Sequence, residues 1–202
     1  MAAGRPRMFC TEKALDAAMQ VFWRKGYEGA SMVDLTTAIG INSPSLYAAF
    51  GSKEGLFKAV LERYDHRRSE FLESVMKAPT VRDVARLYLH GVADFVADTG
   101  GANPPGCLFV QSGATCTDST VAEGMAKIRA EKEAALCGRF ETARANGELP
   151  ADANPKTLAS YLMTMGNGMS VQAASGATSA ELHAIADVAV NAFSAMTQKA
   201  TA

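Results

Sequence analysis

Apolar residues recur along this chain at intervals of three and four, and most such runs are bounded by a residue that can begin or end a helix. From Thr11 to about Lys25, Leu15, Ala18, Met19 and Phe22 form one stripe, with Thr11 as candidate cap and Gly26 as the stop. A shorter run, Leu35, Ala38 and Ile39, follows Ser31 and Asp34, whose three-residue spacing is close to the reciprocal N-capping pattern, and Gly40 ends it. Ser43 is expected to cap a third helix to about Ala49, with Pro44 in its first turn and Leu46 and Phe50 as apolar anchors. A long fourth helix starts at Ser52 and carries Leu56, Val60, Leu61, Tyr64, Phe71, Leu72 and Val75 to about Ala78, before Pro79. Thr80 to Asp98 repeats the pattern with Val84, Leu87, Tyr88, Val92 and Phe95, and a Gly- and Pro-rich loop, Thr99 to Pro105, follows it.

Three more helices close the chain. One starts at Thr117 or Asp118 and reaches about Asn146, with Met125, Ile128, Leu136 and Phe140 inward. One opens at Pro155 with Leu158, Tyr161, Leu162, Met165 and Met169, and one at Ser179 with Leu182, Ile185, Val188, Ala189, Phe193 and Met196. No stretch alternates as a strand would, so the fold class is all-α. Leu15, Met19, Phe22, Leu35, Ile39, Leu46 and Phe50 are the expected core of the first three helices.

Two short helices joined by a turn that contains Gly40, the second with small polar groups at its start, form a helix-turn-helix pattern. The second is too short to be stable alone, so its neighbours must hold it. In this region the chain resembles the tetracycline-repressor (TetR) family of bacterial transcription regulators. The resemblance rests on Leu35, Gly40, Ile41, Ser45, Leu46, Tyr47, Phe50, Lys53, Glu54 and Leu56, and its specific part is the ending L-Y-x-x-F-x-x-K-E-x-L. It implies an N-terminal three-helix helix-turn-helix DNA-binding domain at residues 1–52 and a C-terminal helical ligand-binding and dimerisation domain at 53–202, about nine helices in all. It also adds a short helix over Cys107 to Thr115, because Gly106-Cys107-Leu108 is similar to the start of the family's sixth helix.

The resemblance further implies that Ser43, Pro44 and Ser45 face base edges and that Tyr47 and Lys53 grip phosphates, with Ser31 a further candidate contact. The chemistry agrees: serine hydroxyls pair with several base edges, a phenol donates to a phosphate oxygen, and Lys53 follows the cap Ser52, where helix N–H groups favour anions. Ser43 and Ser52 read equally well as caps alone, and Tyr47 as a partly buried aromatic. Val33 departs from the family, standing where many relatives carry a polar or basic group. Ahead of the first helix, Gly4-Arg5-Pro6-Arg7 reads either as a basic arm for a minor groove, through Arg5 and Arg7, or as a frayed terminus.

Charge qualifies this picture. A net charge of −1 argues against indiscriminate nucleic-acid binding, and up to Leu56 the cations exceed the anions by only one, so position must do what total charge does not. Cys10, Cys107, Cys116 and Cys137 show no C-x-x-C spacing, and His66, His90 and His183 no metal-ligand spacing, so neither a metal nor another cofactor is expected. No nucleophile, base and orienting group converge at an interpretable spacing, so no enzyme is expected. No apolar run approaches the roughly 18 residues of a membrane span, and the N-terminus lacks a signal segment; a cytoplasmic protein with no membrane partner is expected.

The last two helices, with broad apolar faces and small residues such as Gly166 and Gly168, suit close packing between two subunits, although an ordinary core explains the same stripe. The resemblance implies a homodimer joined through these two helices, a near-palindromic double-stranded DNA operator, and release by a small, apolar effector. Tyr88, Phe95, Phe109, Met125, Phe140, Tyr161 and Met165 are the candidate lining of its pocket, or simply core. Two alternatives stand beside this repressor: a thiol or electrophile sensor using Cys107 or Cys116, and a helical interaction module that no longer reads an operator.

Overall fold

The computed structural model describes residues 10–97, 103–113 and 116–198. Among them are nine helices and no strand: α1 (Thr11–Gly29), α2 (Met32–Ile39), α3 (Ser43–Phe50), α4 (Lys53–Met76), α5 (Val81–Val96), α6 (Leu108–Gly113), α7 (Ser119–Ala145), α8 (Pro155–Ala174) and α9 (Ser179–Thr197). None of the described helices is long and apolar enough to cross a membrane.

Local chemistry sets most of the boundaries. Ser31 and Asp34 form a full capping box on α2, and Ser52, Thr80, Asp118 and Asn154 each accept a backbone N–H at the start of their helices. Two expected caps move by one residue. Asn42, not Ser43, caps α3, taking the Ser45 N–H on its side-chain oxygen at 2.9 Å. Thr11 lies inside α1, which Cys10 precedes without a side-chain cap, while α9 opens at Ser179 as expected, with Thr178 as its cap. Gly26 interrupts α1 at φ 70°, and the chain beyond it folds Tyr27 back onto Phe57, ring centroids 5.0 Å apart. Gly55 allows a close approach: a Cβ there would collide with the Phe50 carbonyl, so its absence lets α4 start directly beneath the end of α3.

One continuous apolar cluster runs from Ala18 to Phe193. At the N-terminal end α1 packs on α2, α4 and α6, and α3 rests on α2 and α4. Phe22, Leu35, Leu46 and Phe57 are fully enclosed there, Trp23 and Tyr27 nearly so, whereas Leu15, Ile39 and Phe50 are only partly covered. In the body α5 lies against α4, α8 and α9, and α7 packs along α8 and against α4. On the α5–α9 seam His90 Nδ1 and His183 Nδ1 are 2.8 Å apart, and their outer nitrogens reach Asp187 at 3.1 Å and Asp94 at 2.9 Å. Ring nitrogens at that separation form one hydrogen bond, the tautomers setting which ring donates, so the seam is closed by a chain of polar contacts between α5 and α9.

Candidate nucleic-acid interface and adjoining cavity

α3 turns Leu46 and, at its end, Phe50 inward and the rest outward. Leu46 is fully buried, while Ser43, Pro44, Ser45, Ala48 and Ala49 are exposed and Tyr47 keeps 48% of its surface in water. The Asn42 cap supplies the backbone partner at the helix start, so the Ser43 hydroxyl is not needed as a cap. Ser31 differs. Its hydroxyl accepts from the Asp34 N–H at 3.1 Å and donates to the Asp34 carboxylate at 2.7 Å, so both of its functions are committed to the capping box. Val33, 73% exposed, presents a bare apolar surface one turn from that cap.

The cations around α3 fall into two groups. Lys25 is neutralised by Asp34 at 2.6 Å and Lys58 by Glu54 at 2.6 Å. Hydrogen bonds from Lys25 and then from Ser31 hold the Asp34 carboxyl down at about 2. Lys53 has no carboxylate within ion-pair distance among the described residues. Its ammonium lies 4.6 Å from the Tyr27 ring centroid and 3.5 Å from the Glu28 carbonyl, contacts that orient a cation without cancelling it. Arg5 and Arg7 lie outside the described residues.

Side-chain hydrogen bonds from α1 help tie this head to the body. Arg63 on α4 grips Asp16 on α1 with two hydrogen bonds, of 2.7 and 2.9 Å, which lower the Asp16 carboxyl below its ordinary range. Glu28 at the end of α1 accepts from the Thr117 hydroxyl at 2.7 Å and its N–H at 3.1 Å, and Gln20 donates to Asn103 at 2.9 Å. The start of α7 and the loop before α6 are thereby connected to the helix that braces α2 and α3.

Between α4, α5 and α8 lies a narrow cavity with free volume of about 30 Å³, room for about two water molecules. Tyr88 and Phe95 from the candidate set line it. Phe109, Met125, Phe140, Tyr161 and Met165 do not. Phe109 packs on the Tyr64 ring at 5.5 Å, Phe140 on Phe193 at 5.6 Å, and Tyr161 turns its hydroxyl to the Ala189 carbonyl at 3.1 Å. Met125 is fully enclosed and Met165 partly so; all five fill space between helices instead of bordering the void. Side chains that sequence reasoning did not assign to the wall include Arg68, Phe71, Val92, Lys132 and Met163. A signal for two of them was present: Arg68 and Lys132 interrupt apolar stripes, between Tyr64 and Leu72 and between Ile128 and Leu136. Gly166 also faces inward, where a Cβ would stand 3.2 Å from the Tyr88 hydroxyl, so it serves packing within the chain; Gly168 faces open space.

Cys107 reaches the same cavity from the start of α6. Its buried sulfur receives hydrogen bonds from the Tyr64 hydroxyl at 3.4 Å and from Arg68 Nη1 at 3.6 Å. Burial raises the Tyr64 phenol well above its ordinary range, so the phenol is a hydrogen-bond donor at neutral pH. Cys116, half-buried, lies away from this cluster and has its thiol raised by burial. Among the described residues no group of three or more His, Cys, Asp or Glu could hold a metal ion.

Residues 14–60, the head and the first third of α4, match the family described as bacterial regulatory proteins, tetR family. The HTH-type transcriptional repressor ComR of Escherichia coli K12 is 34% identical over 187 residues, covering 91% of this chain and 88% of ComR. The repressor BdcR of the same organism is 54% identical over 61 residues, 30% of this chain and 31% of BdcR. Among solved structures, a cysteine mutant of the TetR family transcriptional regulator CifR, complexed with 26-base-pair operator DNA, superimposes with a TM-score of 0.86 at 37% identity, covering 93% of this chain and 99% of CifR.

Proposed function

The chain belongs to the tetR family of bacterial regulatory proteins, and from that premise we propose that it is a cytoplasmic repressor that binds a near-palindromic operator as a homodimer and leaves it when a small molecule enters the cavity between α4, α5 and α8. The observation that carries the DNA-reading part is the division of labour on α3: one buried anchor, Leu46, beneath the uncommitted groups Ser43, Ser45 and Tyr47, with Lys53 oriented but unneutralised at the next helix start. Ser43, Pro44 and Ser45 meet base edges, while Tyr47 and Lys53 hold phosphates. Ser31 acts on DNA through the α2 helix it caps. The body pairs through α8 and α9, whose outer faces leave Val171, Ile185, Val188 and Met196 exposed, Val188 to 70%. Two-fold symmetry then sets the recognition helices about 34 Å apart, in successive major grooves.

The test is a salt-dependent titration of the protein against its own upstream intergenic DNA and a scrambled duplex, with sedimentation at micromolar concentration. A dimer that prefers the intergenic duplex by about 10³-fold or more is expected. A strictly monomeric species removes the two-fold reading, and equal weak binding to both duplexes favours an interaction module without an operator there.

A second reading is favoured by one cluster. Cys107, buried beside the Arg68 guanidinium at the cavity, is placed to couple modification of its sulfur to the same helices, and among the described residues Cys116 has no cation within hydrogen-bond distance of its sulfur. Treatment with iodoacetamide is then expected to release operator from the wild type and the Cys116→Ala variant but not from Cys107→Ala. Unchanged operator affinity in the alkylated wild type disposes of this sensor.

A further inference from the structure

The cavity wall is mostly apolar, yet one cation reaches it without a counter-ion. The Arg68 side chain is half-buried at the cavity wall, and among the described residues no carboxylate lies within ion-pair distance of it, Asp65 acting on it only from farther away. Its neighbours are the Cys107 sulfur at 3.6 Å and the ring faces of Phe109 at 5.3 Å and Tyr64 at 5.9 Å. A thiol is a weak acceptor and ring faces replace only part of a lost hydration shell, so most of the five N–H donors of this side chain are undersupplied. Lys132, on the same wall, is in the opposite condition: Asp65 neutralises it at 2.8 Å and its ammonium donates to Ser69 at 3.0 Å. The cavity wall therefore carries one cation, Arg68, with no carboxylate paired directly to it among the described residues.

We propose that the missing counter-ion is the effector itself, and that the effector is a monocarboxylate with a slender apolar body. Its carboxylate seats on Arg68, where the planar fork of the guanidinium matches two coplanar oxygens, and its body runs along Phe71, Tyr88, Val92 and Phe95. The charge count selects the class: one free cation suits a monoanion, whereas a phosphate dianion would find its second partner, Lys132, already taken by Asp65. Asn167, on the α8 wall, makes no side-chain hydrogen bond among the described residues and is available to a further polar atom of the ligand. Because the present cavity holds only about two waters, a ligand of several carbons enters by separating α4 from α5 and α8. α4 carries Lys53 at its start and grips α1 through Arg63, so that separation moves the reading head, as a releasing ligand must.

This inference rests on the reading that the cavity takes the releasing ligand, and one experiment separates their fates. The full-length protein is titrated calorimetrically with phenylacetate and hexanoate and with phenylacetamide and hexanamide, and the same compounds are added to the operator complex. The acids are expected to bind about 10- to 100-fold tighter than the amides, the worth of a charge-assisted pair. Arg68→Gln should erase that preference, and Arg68→Lys, which keeps the charge but loses the fork, should retain part of it; circular dichroism melts of both variants establish that they fold. Equal binding of acid and amide, a preference that survives Arg68→Gln, or no binding of either acid up to about 1 mM overturns the carboxylate assignment. Amides that release operator as well as the acids do would leave a ligand-released regulator standing and remove only the anion. Acids that bind through Arg68 but leave operator affinity unchanged would keep the ligand class and remove the release.

Discussion

Replacing Tyr47 by Phe and Lys53 by Gln in one chain is expected to weaken operator binding by at least about 100-fold while leaving the protein folded. The magnitude follows from the proposed dimer: each charge-assisted phosphate contact is worth about 1.5 kcal/mol or more, and two-fold symmetry would remove two of them with a single Lys53 substitution. The plot of log affinity against log salt should flatten by about two, because two fewer phosphates are neutralised. Folding should suffer little. Tyr47 is half in water, and the contact of Lys53 with the Tyr27 ring contributes about 0.5 to 1 kcal/mol. An unchanged salt slope in the double variant would show that these two side chains do not face the phosphates, and that another surface binds the DNA.

Leu46→Ala is expected to cost about 2 to 5 kcal/mol of unfolding free energy, the range for a leucine truncated inside a packed core. Leu46 is fully enclosed and is the sole fully buried residue of α3, a helix of eight residues that has no stability of its own. The residues proposed to meet DNA hang on that helix, so operator affinity should fall with the loss of packing although Leu46 touches no nucleic acid. Urea melts and operator titrations of Leu46→Ala beside Ser45→Ala separate the two effects. Ser45 is exposed, so its truncation should change stability by no more than about 0.5 kcal/mol while altering base preference. A Leu46→Ala protein that melts like the wild type would mean that α3 is held by something other than this side chain.

The proposed interface and the cavity differed in how much of them could be read from the sequence. Spacing and capping chemistry placed α2, its cap and Leu46, because these depend on contacts within four residues along the chain. The cap of α3 escaped by one position because Pro44 is tolerated at either of the first two helical positions, so it does not say which residue precedes the helix. The structure decides for Asn42, whose carbonyl accepts the Leu46 N–H at 3.1 Å while its side chain takes the Ser45 N–H. In the cavity the stripes identified inward faces but not voids. Met125 and Phe140 point inward as expected and are covered completely, while Arg68 and Lys132, which break their stripes, border the empty space.

By itself, the sequence determined an all-helical chain, the places where most helices start and stop, and the helix-turn-helix ending that marks the family, since hydrogen bonds and caps act over a few residues. Only the tertiary structure decided which cations have a counter-ion. Lys25 and Arg63 are paired with Asp34 and Asp16, partners 9 and 47 residues away, whereas Lys53 and Arg68 meet only ring faces, a carbonyl and a thiol. The fold likewise brought His90 and His183 together from 93 residues apart and set Gly166 against Tyr88. A side chain's partner is fixed by how helices distant in sequence cross in space, and periodicity along one helix carries no record of that crossing.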